Sequence, residues 1–501
     1  MSMKKILSVL VACGIIVSVL AACGSKPVTT DEKTNTSMSE NGADNTSESE
    51  TSNDDTKPTE PGFLPPAEHS NYIAPKAQKG QKYEIKKLDC INGKDFSAMD
   101  ANHFSVDNKE VYDLDGNMLF NDEAVKKDYS KELSYVSIHE MVQSGDKNYA
   151  IVYLQESSSE SPKDVLYNYL EHSFFELEDS NYSVYEANEE YIVISDNKPN
   201  FSLKSVIDWN KKTIIPFDAG YTFIKYLYND RFIAQKGESN CSLLNSSGDV
   251  ISTMPSLGYT TFKELMHNQT DLGGSNYRFY DKNNLTNDYF IGTKQNYSGE
   301  KWLGVSVSIF DRDGKEVYSY EAPDINYPIR MVSQYNGKTY ISEYIDDYYY
   351  YEESGQKHQK VQLIDEYKNK IIEPCGEVSG FFNGYCHYEE GNLENKTLTT
   401  HLVDLEKNEI DSVERPLFMD NTDSKIYKYL SIVDEKGLYI LEEYSNYASI
   451  YTIKDTAGNI VFTSDSEIKN IKMLGNGVFG VISKDNDSIS QYNYLIKITP
   501  A

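Results

Sequence analysis

Along the chain, short apolar runs alternate with polar corners at a spacing too tight for helices. The stretch 361–390 shows the pattern in its fullest form: Leu363 and Ile364 end one apolar run, a polar turn covers 365–369, Ile371 and Ile372 precede Pro374, and a third run restarts after Asn383-Gly384. Each run is strand-length. A strand, an Asp/Asn/Gly turn and a second strand recur at VYDLDGNMLF (111), SVIDWNKKTIIP (205), SLLNSSGDVI (242), SIFDRDGKEVY (308), QLIDEYKNKIIEP (362), HLVDLEKNEI (401) and TIKDTAGNIVF (452). Between them lies a second unit, a polar turn followed by an aromatic alternating strand: GDKNYAIVY (145), NEEYIVI (188), NDRFIAQ (229), NDYFIG (287), NGKTYIS (336), NGYCHYE (383), KGLYILEE (436) and NGVFGVI (476). Asn-Gly and Asp-x-x-Gly corners are chemically apt, because hairpin turns need positive φ.

Two such halves make a unit with the spacing of a propeller blade once loop insertions are allowed. The expected fold is all-β and repeat-built, a β-propeller of seven or eight blades, with an open β solenoid as the alternative shape. The strand YNYLIKIT near 492 is placed to pair with KYEIKKL near 82 and so close a ring. Between 113 and 208 one copy is obscured by KDVLYNYLEHSFFELED, whose apolar spacing predicts a small helical insertion near 163–178.

The copy at 362–389 resembles the WG (KWG) repeat of bacterial proteins, with its Ile-Asp strand, turn, Ile-Ile-Pro strand and Phe-x-x-Gly-Tyr-like strand; the copy at 205 is similar. The resemblance implies a β-rich repeat scaffold and no specific activity. The Trp-Gly pair of that family is missing, since Trp209 and Trp302 stand in other contexts.

The first residues are not part of this pattern. Lys4 and Lys5 precede an apolar run over 6–19, and Leu20-Ala21-Ala22-Cys23-Gly24 follows. This resembles the lipobox of bacterial lipoproteins. The resemblance implies a signal peptide over 1–22, cleavage before Cys23, a diacylglycerol on its thiol and a further acyl chain such as palmitate on its amine, enough chains for a stable membrane anchor. Residues 23–80 are Ser-, Thr-, Asn-, Asp-, Glu- and Pro-rich and too polar to offset the entropy of ordering, so they read as the lipidated Cys23 and a disordered tether. The repeat domain is expected over 81–501, on the extracytoplasmic face of the cell membrane. Abundant Lys, Asn and Tyr beside the lipobox point to a Gram-positive cell surface.

Charge narrows the partners. With 48 Lys+Arg against 78 Asp+Glu, a net charge of -30 repels phosphate backbones and argues against nucleic acid. The 41 Tyr residues and a mean hydropathy of -0.58 suit thin sheets with half-solvated faces. One segment concentrates both features: Tyr344, Asp346, Asp347, Tyr348, Tyr349, Tyr350 and Tyr351 read as an acidic aromatic insertion in one unit and as the candidate ligand-binding residues. Rings offer flat apolar faces and carboxylates accept hydrogen bonds, a pairing suited to sugars or cationic peptides.

Other motifs have plainer readings. Gly475-Asn476-Gly477-Val478-Phe479-Gly480 spells G-x-G-x-x-G, but no helix follows it, so it reads as a repeat turn. Asp113-x-Asp115-Gly116 and Asp311-x-Asp313-Gly314 lack the later bidentate Glu of a calcium loop and read as hairpin corners. Besides Cys23, the mature chain would hold Cys90, Cys241, Cys375 and Cys386; a Cys375–Cys386 bridge is weighed against buried free thiols. Cys386-His387 falls short of a four-ligand zinc set. No catalytic residues, metal or cofactor are expected. The function expected is a surface-anchored lipoprotein whose β domain binds an extracellular protein, peptide or glycan. The alternatives are an extracytoplasmic hydrolase of glycans or peptides, with carboxylates at the propeller centre, and a structural envelope protein.

Overall fold

The computed structural model describes residues 73–501 apart from connecting stretches, the longest being 277–288 and 417–426; Cys23 and the residues before 73 lie outside the described part. Among the described residues the chain forms nine consecutive antiparallel sheets, eight of them four-stranded and one three-stranded, together with a two-stranded hairpin, Asp271–Leu272 with Ser275–Asn276, inserted in the fifth. We number the blades in chain order. Blade 1 is Phe96–Ala98, His103–Val106, Glu110–Asp113 and Met118–Asn121. Blades 2 to 8 cover 135–174, 182–215, 223–254, 259–322, 329–375, 385–416 and 427–463, and blade 9 joins 468–500 to the early strand Tyr83–Leu88. Strands within a blade are a to d; in blade 7 the bridges Val378–Tyr388 and Phe382–Tyr385 mark position a, so its three strands are b to d.

The successive blades pack face to face. Val111 and Phe120 of blade 1 meet Ile138 and Val152 of blade 2; Ile151 and Leu166 meet Val184 and Ile192 of blade 3; Val193 and Val206 meet Phe232 and Leu244 of blade 4. Arg231 Nε donates to Arg312 O of blade 5, and Tyr318 OH to Glu343 of blade 6. Leu363 meets Val403 of blade 7, Val413 meets Leu430 of blade 8, and Ile453 meets Phe479 of blade 9. Leu474 and Leu495 of blade 9 then meet Phe104 of blade 1, which closes the sequence of contacts. The architecture is a β-propeller.

Closure is covalently economical. Tyr83–Leu88 pairs antiparallel with Gln491–Pro500 over six residues, from Tyr83 opposite Pro500 to Leu88 opposite Leu495, so the first and last strands share one blade. An open solenoid would leave both edges unpaired.

The seven copies of the Asp/Asn turn are the c–d corners of blades 1, 3, 4, 5, 6, 7 and 8, and they share one geometry. In each, the Oδ1 of the first residue accepts N–H groups two and four positions on: Asp113, Asp208, Asn245, Asp311, Asp365, Asp404 and Asp455. The residue three positions on has positive φ, Gly in four corners and Lys211, Lys368 and Lys407 in three. This is a four-residue hairpin with a bulge, and the Asx bonds fix it before any long-range contact forms. Asp113 and Asp311 are thus spent on their own backbone, as their corner reading requires.

Two expectations need correction. The segment 163–178 is not helical: Lys163–Asn168 and Ser173–Phe174 are strands c and d of blade 2, with Asn168 accepting N–H bonds from Leu170 and Glu171 at the corner. Leu166 faces blade 3 and Tyr167 faces blade 1, both with no exposure. A strand buried on both faces reads as an unbroken apolar run, which periodicity cannot tell from a helix. The stretch is therefore the obscured copy itself, and with blade 9, where the pairing of the last strand with Tyr83–Leu88 takes the place of a c–d corner, the count is nine, against the seven or eight expected. The helix among the described residues is Asp122–Asp128, started by Asn121 accepting from Ala124 N, with Asp122 and Glu123 in its first turn and Lys126 and Lys127 in its last.

The second correction concerns the domain boundary. Residues 73–80, assigned by sequence to the tether, are docked on the ring. Ala74 is buried at 2% exposure against Leu402, Val433 and Tyr439.

Candidate binding surface

An up-and-down blade puts its a–b and c–d corners at one end of the ring and its b–c connection at the other. At the corner end, blades 7, 8 and 9 are stitched together. Asn383 Nδ2 donates to Val433 O, Glu435 accepts from Asn476 N, and Asp434 Oδ2 accepts from Gly477 N. Gly475, Asn476 and Gly477 all have positive φ between strands Ile468–Gly475 and Val478–Lys484, so the G-x-G-x-x-G motif is a hairpin corner. Asp434 is buried; burial and then the charge of Glu435 push its carboxyl up to about 7, against N–H bonds from Leu438, Gly477 and Lys436.

The b–c end carries the sequence-nominated residues. In blade 6, strand Lys338–Tyr351 runs for 14 residues and pairs with Lys357–Asp365. Pairing is regular up to Tyr344 opposite Val361, then resumes with Tyr348 opposite Gln359, Tyr350 opposite His358 and Tyr351 opposite Lys357, with bulges between. Tyr344, Asp346, Asp347 and Tyr348 to Tyr351 are thus strand residues of a two-stranded arm, not an insertion between repeat strands.

On the neighbouring blade the structure adds residues that the sequence did not single out. Ser342, on the arm's own strand, donates to Val378 O of blade 7. On the face of blade 7 that packs against blade 6, Tyr388 stands directly opposite His401 across the b–c strand pair, rings 4.7 Å apart and within 14° of parallel. His401 Nδ1 lies 2.7 Å from Glu409 and its Nε2 3.8 Å from Glu390, so the stacked rings sit between two carboxylates. On the other face of blade 7, Arg415 donates to Glu389 at 3.0 Å and its guanidinium covers the Tyr429 ring at 5.5 Å. Thr400 also donates to Glu389. Nearby His387 is driven by burial down to about 4 and is neutral at pH 7. Aromatic faces bordered by carboxylates can hold hydroxyl-rich or cationic groups.

Cys386 is a buried thiol in no disulfide, donating to His387 O at 3.3 Å, so the bridge weighed between Cys375 and Cys386 is not formed; Cys90 is unbridged as well. Among the described residues no group of three or more His, Cys, Asp or Glu is arranged to hold a metal ion. Cys23, the expected lipid site, is outside the described residues.

No family model matches the chain, and no curated protein does. Among solved structures the chain is similar to the computationally designed Ika8 protein (TM-score 0.32, 10% identity, 73% of this chain and 98% of that one). It is also similar to BamB from Moraxella catarrhalis (0.31, 9%, 72% and 98%) and to the C-terminal WD40 domain of Sif2 (0.32, 10%, 84% and 99%). TM-scores of this size establish neither fold nor function, and the propeller assignment rests on the strand pairing itself. A propeller is in general a scaffold for interaction, with its chemistry set by the groups grafted on it.

Proposed function

We propose that the chain is a surface-anchored lipoprotein whose propeller binds an extracellular protein, peptide or glycan at the b–c end of blades 6 and 7. Cys23 carries the lipid, the polar stretch up to residue 72 is the tether, and the anchor holds the ring outside the cytoplasmic membrane. The observation that supports the binding site is the length of strand Lys338–Tyr351, which carries four consecutive tyrosines and two aspartates past the regular blade pairing, on the blade next to the one with the Tyr388–His401 stack. A net charge of -30 favours a cationic or hydroxyl-rich partner.

The test replaces Tyr348, Tyr349, Tyr350 and Tyr351 together by Ser, which removes the rings and keeps the charge. Capture of partner from wall extract should drop at least tenfold. Recognition by charge should weaken as salt rises past about 0.1 M, whereas stacking on a sugar should not. Unchanged capture at both salt levels contradicts the arm as the site. Anchoring is tested by Cys23→Ala, which should move the protein from the membrane fraction to the medium or to an uncleaved precursor.

A further inference from the structure

At the opposite end of the ring, residues 73–80 lie across the corners of blades 7 and 8, irregular over 73–78 and turning at 79–80, where Gln81 N donates back to Gln78 O. Their contacts are of the kind that a docked peptide makes. Ala74 N donates to Asn383 O, Lys76 Nζ to Asp404 Oδ2 at 2.8 Å, and Ala77 N to Thr456 Oγ1. Gly80 N donates to Asn459 Oδ1, and Asn459 Nδ2 returns a bond to Gln78 O. Apart from Asn383 O, the acceptors on the ring belong to the c–d corners: Asp404 and Asp455 use Oδ1 to hold their own turns, while Oδ2 accepts from Lys76 and Asn408 in Asp404 and from Tyr83 OH and Asn459 in Asp455. Burial works to raise the Asp404 carboxyl, but the bonds from Lys76 and Asn408 hold it below the usual range.

The segment is held lightly. Ala74 is its one buried residue and Lys76 is 62% exposed on its side chain, so the ion pair adds little stability. By contrast, the strand that follows is fixed by the six-residue pairing of Tyr83–Leu88. Local opening of 73–80 therefore costs far less than opening the ring.

We infer that the corner row of blades 7 and 8 is a binding site for a lysine-bearing peptide segment, occupied in cis by residues 73–80. The site asks for a small residue at the Ala74 position, where Leu402, Val433 and Tyr439 close around it, and a cation two positions later at Asp404. A segment from another protein with that spacing would compete with the cis segment, which gains from being tied directly to Tyr83. This site is separate from the blade 6 arm.

The probe is a fluorescein-labelled peptide of sequence YIAPKAQKGQ, residues 72–81, read by anisotropy against the full chain. Ala74→Asp with Lys76→Ser loosens the cis segment, and the peptide should bind that variant at least tenfold more tightly than wild type. Adding Asp404→Asn, which keeps the Oδ1 turn bonds, should abolish the gain, and a peptide with Glu at the Lys76 position should bind neither. Equal binding to wild type and the loosened variant, or none to either while both melt cooperatively, overturns the inference. Should the loosened variant fail to fold, amide hydrogen exchange on wild type decides: faster exchange over 73–80 than over 83–88 is expected, and equal protection refutes a separable segment.

Discussion

Asp434 of blade 8 accepts the backbone N–H of Gly477 in blade 9 at 2.8 Å, so a buried carboxylate ties two blade corners together. Its ordinary value is 3.8, and burial followed by the charge of Glu435 raises it to about 7. Between those values the folded chain keeps a proton that the unfolded chain has released. The stability this provides is complete below about 3.8 and is lost as pH rises toward 7.

Asp434→Asn removes this dependence and also leaves one corner N–H without its acceptor, at a cost of about 1–3 kcal/mol. Wild type should therefore exceed the variant in melting temperature by more at pH 5 than at pH 8. A separation that is constant or grows with pH would mean that Asp434 is charged throughout.

His387 works in the opposite direction. Burial lowers it from 6.5 to about 4, so below 6.5 the unfolded chain takes up a proton that the folded chain refuses. Stability is present above 6.5 and lost as pH falls toward 4. With His387→Gln, the drop in melting temperature between pH 7 and pH 4.5 should be smaller than in wild type; an equal drop would place the protonated ring in the fold.

The seam between blades 9 and 1 depends on Gly480, where an added Cβ would overlap the edge of the Phe96 ring at Cε2 and Cζ. Gly480→Ala should cost about 1–3 kcal/mol in urea unfolding, since the Phe96 ring must move aside within a packed core. Phe96→Ala in the same chain should recover part of that loss relative to the sum of the single changes. Strict additivity would show that the two residues do not meet.

Most of the fold was legible because its key contacts are local. The Asp365 corner binds N–H groups within four residues, so its chemistry is visible as a short repeated string, and the closing pair Leu88–Leu495 follows once strands are counted from both ends. Leu166 and Tyr167 were misread because burial on both faces erases alternation. The segment at 73–80 was illegible for a different reason: Lys76 and Asp404 are 328 positions apart, and a single buried alanine leaves no hydrophobic signature. At the candidate site the tyrosine run was visible as composition, whereas the Tyr388–His401 stack exists only through strand register.

Three corners place lysine where four place glycine. Lys407 has φ 62°, a region that costs an L-residue about 1–2 kcal/mol, part of which glycine returns as unfolded-state entropy. Lys407→Gly should stabilise the ring by about 0.5–1 kcal/mol, and Gly458→Ala in the next blade should destabilise it. Loss of stability in Lys407→Gly would contradict the shared corner geometry.

The ring itself can be counted. Electron cryo-microscopy of residues 73–501, viewed along the ring axis, should give class averages of a closed ring with nine wedges, the ninth completed by Tyr83–Leu88 beside Gln491–Pro500. An open arc, or a closed ring with seven or eight wedges, would contradict the account.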